Sequence, residues 1–418
     1  MRISNEAAIA LACKLLSYLW GVVRIRSFRL MKTDWRRNIA LALASLLGAL
    51  PGALSATDAG LRLSAPTWMG NRIRFTLNCE SGVTYVIERS PDLQSWTPVL
   101  TNNGPSIRVL MAATAPGGMG FYRARRGPPA FIAALVVEEG FDASGSNLGS
   151  DSFDSALGPY NPGSHSTNGD IVTLTTNANS ITIGNAKVTG TVRTPPGGIQ
   201  GVTATIGSGG AVGDSTWVSG STGFQSGHFQ PTFTLAHFPD AVLPTIGVWY
   251  TPLSGTAPDG LIYDRLLTSG NYHVTDLSGS VYVGQTNTVL WVDGSINISG
   301  GGGGAGYAEP QIHIAPGASL AIYMAGATTT ISGNGLVNDT AQAKTFAYYG
   351  LPSNHTINLT GNGAFYGTIY APEADFYLIG SGSSADDFTG ASVTKTTTMT
   401  GNFNFHYDEN LARTGPFR

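Results

Sequence analysis

From residue 312 to residue 405 the apolar side chains fall at alternate positions in one short run after another. Ile312 and Ile314 form one run, and Leu320, Ile322 and Met324 form the next. Ile331, then Ile357 and Leu359, then Phe376 and Leu378, then Phe403 and Phe405 continue the series. A period of two places one row of each run on a single face of a strand. Gly-Asn-Gly, Ser-Gly and Pro-Gly steps separate the runs and supply turn chemistry. Many short, turn-bounded strands at even spacing predict a sandwich, a barrel or a solenoid. Of the three, the solenoid is the favoured expectation, because a single strand layer buries its apolar face only when others stack on it.

The same pattern extends to both sides. An apolar strand is predicted over 131–137, and further strands over 170–175, 180–183, 186–192, 279–283 and 288–292. Residues 230–275 break the rhythm, with Pro231, Pro239, Pro244, Pro252 and Pro258 spread through them. This segment is expected to cross the outside of the stack and to form the wall of a cleft. At the C-terminal end, residues 408–412 are expected to start a short helix that caps the last layer, with Leu411 turned inward. Upstream, alternation over 72–78 and 84–89 and a closing run over 121–125 predict a small antiparallel β-module spanning 57–127. Trp96 and Tyr122 are its expected core aromatics, and Asp92 its turn cap. Residues 128–130 read as a stiff linker. The main body is then 131–418.

The first 56 residues read as a leader. A basic stretch over 31–37 precedes an apolar stretch over 39–50 and small residues over 53–56, the proportions of a secretory signal peptide. Met31 reads as the start, with a two-segment membrane anchor as the alternative for the second apolar run over 7–23. The expected address is therefore exported, extracellular or cell surface, with no membrane span in the mature chain.

Composition narrows the function classes. Glycine contributes 55 of 418 residues and charged residues only 12%. Residues 1–130 carry 16 Lys+Arg against 6 Asp+Glu, and residues 131–418 carry 7 against 20. An acidic body without a Lys/Arg stripe argues against nucleic acid as a partner. Of two cysteines, Cys13 and Cys79, only Cys79 outlasts leader removal, so no disulfide framework forms within one mature chain.

Two resemblances rest on particular residues. Ser90-Pro-Asp-Leu-Gln-Ser-Trp96 followed by Phe121-Tyr-Arg-Ala124 resembles a small fibronectin-like β-module of secreted bacterial proteins. Asp151-Ser-Phe-Asp-Ser155, Lys187-Val-Thr-Gly190, Leu267-Thr-Ser-Gly-Asn-Tyr272, Ala364-Phe-Tyr-Gly-Thr-Ile-Tyr-Ala-Pro372 and Phe405-His-Tyr-Asp-Glu-Asn-Leu411 form a second set. Together they resemble a bacterial C-terminal domain family of unknown function, found on PilX-like pilus-associated proteins and other exported proteins. That resemblance implies a right-handed parallel β-helix for the body and brings no catalytic residues with it.

The chemistry-bearing residues are sparse. The seven histidines form no His-x-x-x-His or His-Glu-x-x-His pattern, and no Gly-x-Ser-x-Gly elbow is present. Asp386-Asp387 reads as a solvated turn. The Gly300–Gly304 run lacks the lysine of a phosphate loop. Asp151 and Asp154 are the candidate ligands for calcium, the one cofactor considered, although no Asp-x-Asp-x-Asp-Gly pattern surrounds them. The threonines over 394–400 and 328–330 read as strand formers rather than as an ice-binding array. Trp249, Tyr250 and Trp291 are the candidate ligand-binding residues, expected to stack on sugars if exposed. The leading expectation is a non-enzymatic structural or adhesive surface protein whose partners are extracellular polysaccharide or other surface proteins. A carbohydrate-binding or carbohydrate-active β-helix and a pilus-associated component are the alternatives.

Overall fold

The computed structural model describes the seven strands between residues 62 and 126 and, except for 147, 236, 245–246, 269, 362 and 381–385, residues 131–414. The leader, Asp92 and Trp96 lie outside the described residues. The fold is all-β. Among the described residues, helix is confined to Ser215–Gly220, Leu411–Thr414 and a 3-10 turn at Ala343–Thr345.

The upstream strands pair only antiparallel. Arg72–Asn78 takes Arg62–Leu63, Thr67–Met69 and Arg108–Ala113 as neighbours, and Tyr85–Ser90 takes Thr97–Asn102 and Phe121–Arg126. Tyr122 is half-buried.

The body is built differently: apart from one hairpin, its strands pair parallel, in three ladders. In ladder A one inward column runs Tyr272, Leu290, Ile322, Tyr348, Ile369, Ser392, Leu135, Ile171, Val192 and Phe229, each the register partner of the next. Ladder B runs in the same order through Leu277, Ile296, Thr329, Ile357, Phe376, Thr397, Phe141, Ile181 and Ala204. Ladder C holds Val281, Ile312 and Leu336 in one stretch and Phe365, Phe388, Phe405, Ser150 and Val188 in another. The predicted alternating residues supply these columns. Ile312, Ile314, Leu320, Ile322, Met324, Ile357, Phe376, Leu378 and Phe405 are all buried. Phe365, Phe388 and Phe405 stack ring on ring at 4.3 and 4.4 Å. At the corners, glycine permits close approach of successive layers: a Cβ on Gly326 would overlap the carbonyl oxygen of Gly294.

The order of the columns reveals a feature absent from the sequence reading. The chain enters the stack in its middle. From Leu135 it adds layers outward to Phe229, then returns to the opposite end at Tyr272 and works back. Its last strands, Asp386–Gly401 and Phe403–Asp408, pair with its first, Leu135–Ser146 and Gly149–Phe153. The helix Leu411–Thr414 is present with Leu411 fully buried, yet it follows an inner strand and caps no end of the stack. That corrects the expected role of residues 408–412. Asp386 and Asp387 likewise open a strand paired to Phe403–Asn404 rather than a turn.

Residues 231–252 make the return, and the described ones lie over the outer face of ladder A. Phe233 donates its N–H to the Thr194 carbonyl, Phe238 to Glu138 Oε1 at 2.8 Å, and Tyr250 to the Asn271 carbonyl at 2.8 Å. Tyr370 donates its hydroxyl to the Pro239 carbonyl at 2.5 Å. These contacts climb the ladder in order. Ten layer steps of about 4.8 Å come to about 48 Å, within the reach of about 66–72 Å for twenty extended residues. The outer column beneath this strap is aromatic or β-branched: Trp291, Tyr323, Tyr349, Tyr370, Val393 and Val136 are successive register partners. The irregular segment is shorter than the expected 230–275. Leu253–Thr256 and Ile262–Leu267 form the hairpin, and Asn271–Val274 is already a regular strand of ladder A.

Candidate functional site

The strap ends at the head of the stack, and there the three ladders are unequal. Tyr250 adds a layer above Asn271–Val274 in ladder A, through its bond to Asn271 and through His273 donating to the Tyr250 carbonyl at 2.9 Å. Ile262–Leu267 adds a layer above Val281–Val283 in ladder C. Among the described residues ladder B has no such layer: Leu277–Ser278 pairs below with Ile296–Asn297, and its upper edge faces a cleft of about 650 Å³. Thr251 and Pro252 form one wall, Asp264 and Arg265 the other, and residues 273–276 with Ser278 and Gly279 the floor.

Serines hold the carboxylates of this cleft. Asp264 Oδ2 accepts from the Ser280 N–H at 2.8 Å and from its hydroxyl at 3.0 Å. Asp276 Oδ1 accepts from the Ser295 N–H and hydroxyl, both at 2.7 Å, and these bonds hold its pKa below the usual aspartate value. Arg265 does not pair with either. Its guanidinium donates to the backbone carbonyls of Asp276, at 3.2 Å, and Ser278.

The three predicted aromatics gather at the rim. Trp249 and Trp291 have ring centroids 5.6 Å apart, and His273 stacks on Trp291 at 4.1 Å while its Nε2 contacts Asp293 at 2.9 Å. Both tryptophans are half-buried, and Tyr250 is 57% exposed. The Trp291 indole nitrogen is shielded from solvent and has no acceptor among the described residues.

Asp151 and Asp154 are elsewhere, where the first strands meet the last. Asp151 accepts from the Tyr160 hydroxyl at 2.8 Å and from His406 Nδ1 at 2.6 Å, and the Tyr160 and His406 rings stack at 3.6 Å. Asp154 accepts from the Ala156 N–H at 3.0 Å and from Arg413. Alongside, Ser152 and Asn168 donate to Glu409, and Ser155 to Asp408. These carboxylates already take protein donors, an arrangement that does not fit a calcium ion. Among the described residues no group of three or more His, Cys, Asp or Glu side chains is placed to hold a metal. The cluster is a clamp between the two ends of the body.

The sequence reading located the aromatics but missed Asp264, Arg265, His273 and Asp276. The available signal was an adjacent Asp-Arg pair in a body with few basic side chains. A family model for a domain of unknown function, DUF7305, matches residues 254–414. No curated protein and no solved structure matches the chain. Among the described residues no helix is long and apolar enough to cross a membrane.

Proposed function

We propose that this chain is an exported, surface-displayed structural or adhesive protein without enzymatic activity, its body a right-handed parallel β-helix. The observation that carries this reading is the unbroken ladder A column from Tyr272 to Phe229, sealed along its outer face by the strap. Parallel layers that each pair with the next make a rigid rod, and such a rod holds a binding face away from a membrane. The reading of residues 31–56 as a signal peptide supports export. Extracellular polysaccharide and other surface proteins are the partners this reading names. Surface labelling of intact cells producing the full chain, with N-terminal sequencing of the exported form, tests it. Retention of the whole chain inside the cell overturns it.

The cluster at the head of the stack favours a second reading, a carbohydrate-binding site in which Trp249, Tyr250 and Trp291 stack on sugar rings. Aromatic faces at the rim of a polar cleft suit that role. A glycan array probed with the wild type and with Trp249→Ala decides it. Specific hits that vanish in the variant support a sugar site, and hits that persist place the sugars elsewhere. A pilus-associated role rests on the family resemblance alone.

A further inference from the structure

We propose that the cleft at the head of ladder B is a strand-acceptor slot, and that its occupant is an extended, basic polypeptide segment of a partner protein. The slot is the place of one missing strand. Ladders A and C on either side each carry an additional layer, Tyr250 and Ile262–Leu267, and the chain passes between them at Thr251 and Pro252 without filling ladder B. The floor is therefore a backbone edge, and strand edges are templates for further pairing.

Polarity of that edge follows from the parallel pattern. Leu277 directs its N–H down to the Ser295 carbonyl at 2.8 Å, and the Thr275 carbonyl accepts from Gly294 below at 2.6 Å. Alternate residues of a strand turn their backbone groups to opposite neighbours. Asp276 and Ser278 thus face up into the slot, and the partner their carbonyls find is the half-buried Arg265 side chain. A guanidinium laid across two edge carbonyls protects the edge and is displaced without unfolding anything.

Charge selects the occupant. Asp264 and Asp276 each place one carboxylate oxygen on a serine, and among the described residues the other oxygen has no hydrogen-bond donor. Arg265, the one cation among the lining residues, is turned to backbone instead. An incoming strand with Lys or Arg beside these carboxylates supplies the missing charge. Above Leu277, which points into the core, the matching position calls for an apolar side chain. The recognised pattern is apolar at one position and basic at its neighbours, with main-chain bonds giving affinity and side chains giving selectivity. A glycan would stack on the aromatic rim, whereas only an extended backbone pairs in register with the edge that forms the floor.

The test uses the full exported chain and a phage-displayed library of random linear dodecapeptides, with counter-selection against the Asp264→Asn/Asp276→Asn variant. Enriched peptides should alternate apolar and Lys/Arg residues, protect the amides of Asp276 and Ser278 from hydrogen exchange, and lose about tenfold or more in affinity when their backbone is N-methylated. Arg265→Ala, which removes the competing guanidinium, should tighten binding severalfold with an unchanged melting temperature. Failure to enrich any peptide overturns the proposal. So does binding indifferent to N-methylation, or oligosaccharide binding that protects the same amides while peptides do not bind.

Discussion

Single buried polar groups show how closely the interior is specified. Tyr348 belongs to the inward column of ladder A, and its hydroxyl bonds Thr329 at 2.7 Å and donates to Asn354 Oδ1 at 3.0 Å. Asn354, fully buried, in turn donates to the Gly326 carbonyl at 3.0 Å. Burial pushes the Tyr348 hydroxyl pKa up, so it remains a donor. Tyr348→Phe strands the Asn354 oxygen, and an orphaned buried acceptor costs about 1–3 kcal/mol. The expected outcome is a lower urea midpoint with an unchanged m-value, and an unaltered midpoint refutes the network's contribution. Asp170 and Asp408 act in the opposite sense to most surface carboxylates. Burial raises the pKa of each, against the pull of Arg193 on Asp170 and of the Ser155 hydrogen bonds on Asp408. The folded chain therefore binds these protons more tightly than the unfolded chain. Stability falls as pH rises from the ordinary aspartate value of 3.8 through the raised one, and stays reduced above it. Asp408→Asn keeps an oxygen to accept from Ser155 and Asn410 and removes the titration. The variant should gain on the wild type as the pH of urea unfolding is raised from about 4 to 7. A constant difference across that range would remove Asp408 from the pH response.

At the scale of elements, the strap decides which faces of ladder A are wet. Phe238 is fully buried, with its ring edge-on to Tyr370 at 6.3 Å, and Glu138 fixes the backbone beside it. Phe238→Ala removes the anchor at a cost of about 3–5 kcal/mol. Faster proteolysis within 231–252 is expected, ahead of cleavage in the ladders, and limited digestion with mass spectrometry reads it out. Simultaneous cleavage of strap and ladders would mean that the strap has no separate stability. Much of this level was legible in the chain. Period-two runs gave strand existence and the inward rows, and scattered prolines marked a segment unable to join a ladder. The burial of the outer face is legible too: Ala321 and Tyr323, then Ala347 and Tyr349, stand where a solvated strand would carry polar residues. Strands covered on both faces read as near-continuous apolar runs. The head cleft was only half legible. Its tryptophans stand out by type, whereas Asp264 and Asp276 acquire meaning only once serines from neighbouring layers hold them. Nothing local in the chain records that Asp276 and Ser295 meet.

Pairing order is a property of the whole molecule, and it is the part no local pattern contains. Each strand carries the same alternation, so any layer satisfies any other by pattern alone. The contacts specific to this pairing of first strands with last are long-range: Asp151 with His406, Asp154 with Arg413 and Ser152 with Glu409, beside the Leu135–Ser146 to Asp386–Gly401 ladder. It follows that residues 254–414, the span of the family match, are not a complete folding unit in this protein. Cut out alone, they leave the outer sides of 392–401 and 404–408 as open parallel edges. A circular permutant separates this cause from simple truncation. The Tyr407 hydroxyl donates to the Phe131 carbonyl at 2.9 Å, so the two ends of the body are neighbours, and a short linker from 414 to 131 suffices. With the new start at 253, the order becomes 253–414, linker, 131–252, and every layer then follows its spatial neighbour while the strap trails as a C-terminal tail over ladder A. This permutant is expected to unfold in one cooperative transition near the wild-type midpoint, whereas 254–414 alone aggregates or unfolds without cooperativity. Because neighbouring layers become sequence-local, the permutant should also refold faster than the wild type, as lower contact order demands. A soluble, cooperative 254–414 fragment would show instead that the first strands are an accessory to a stack complete without them.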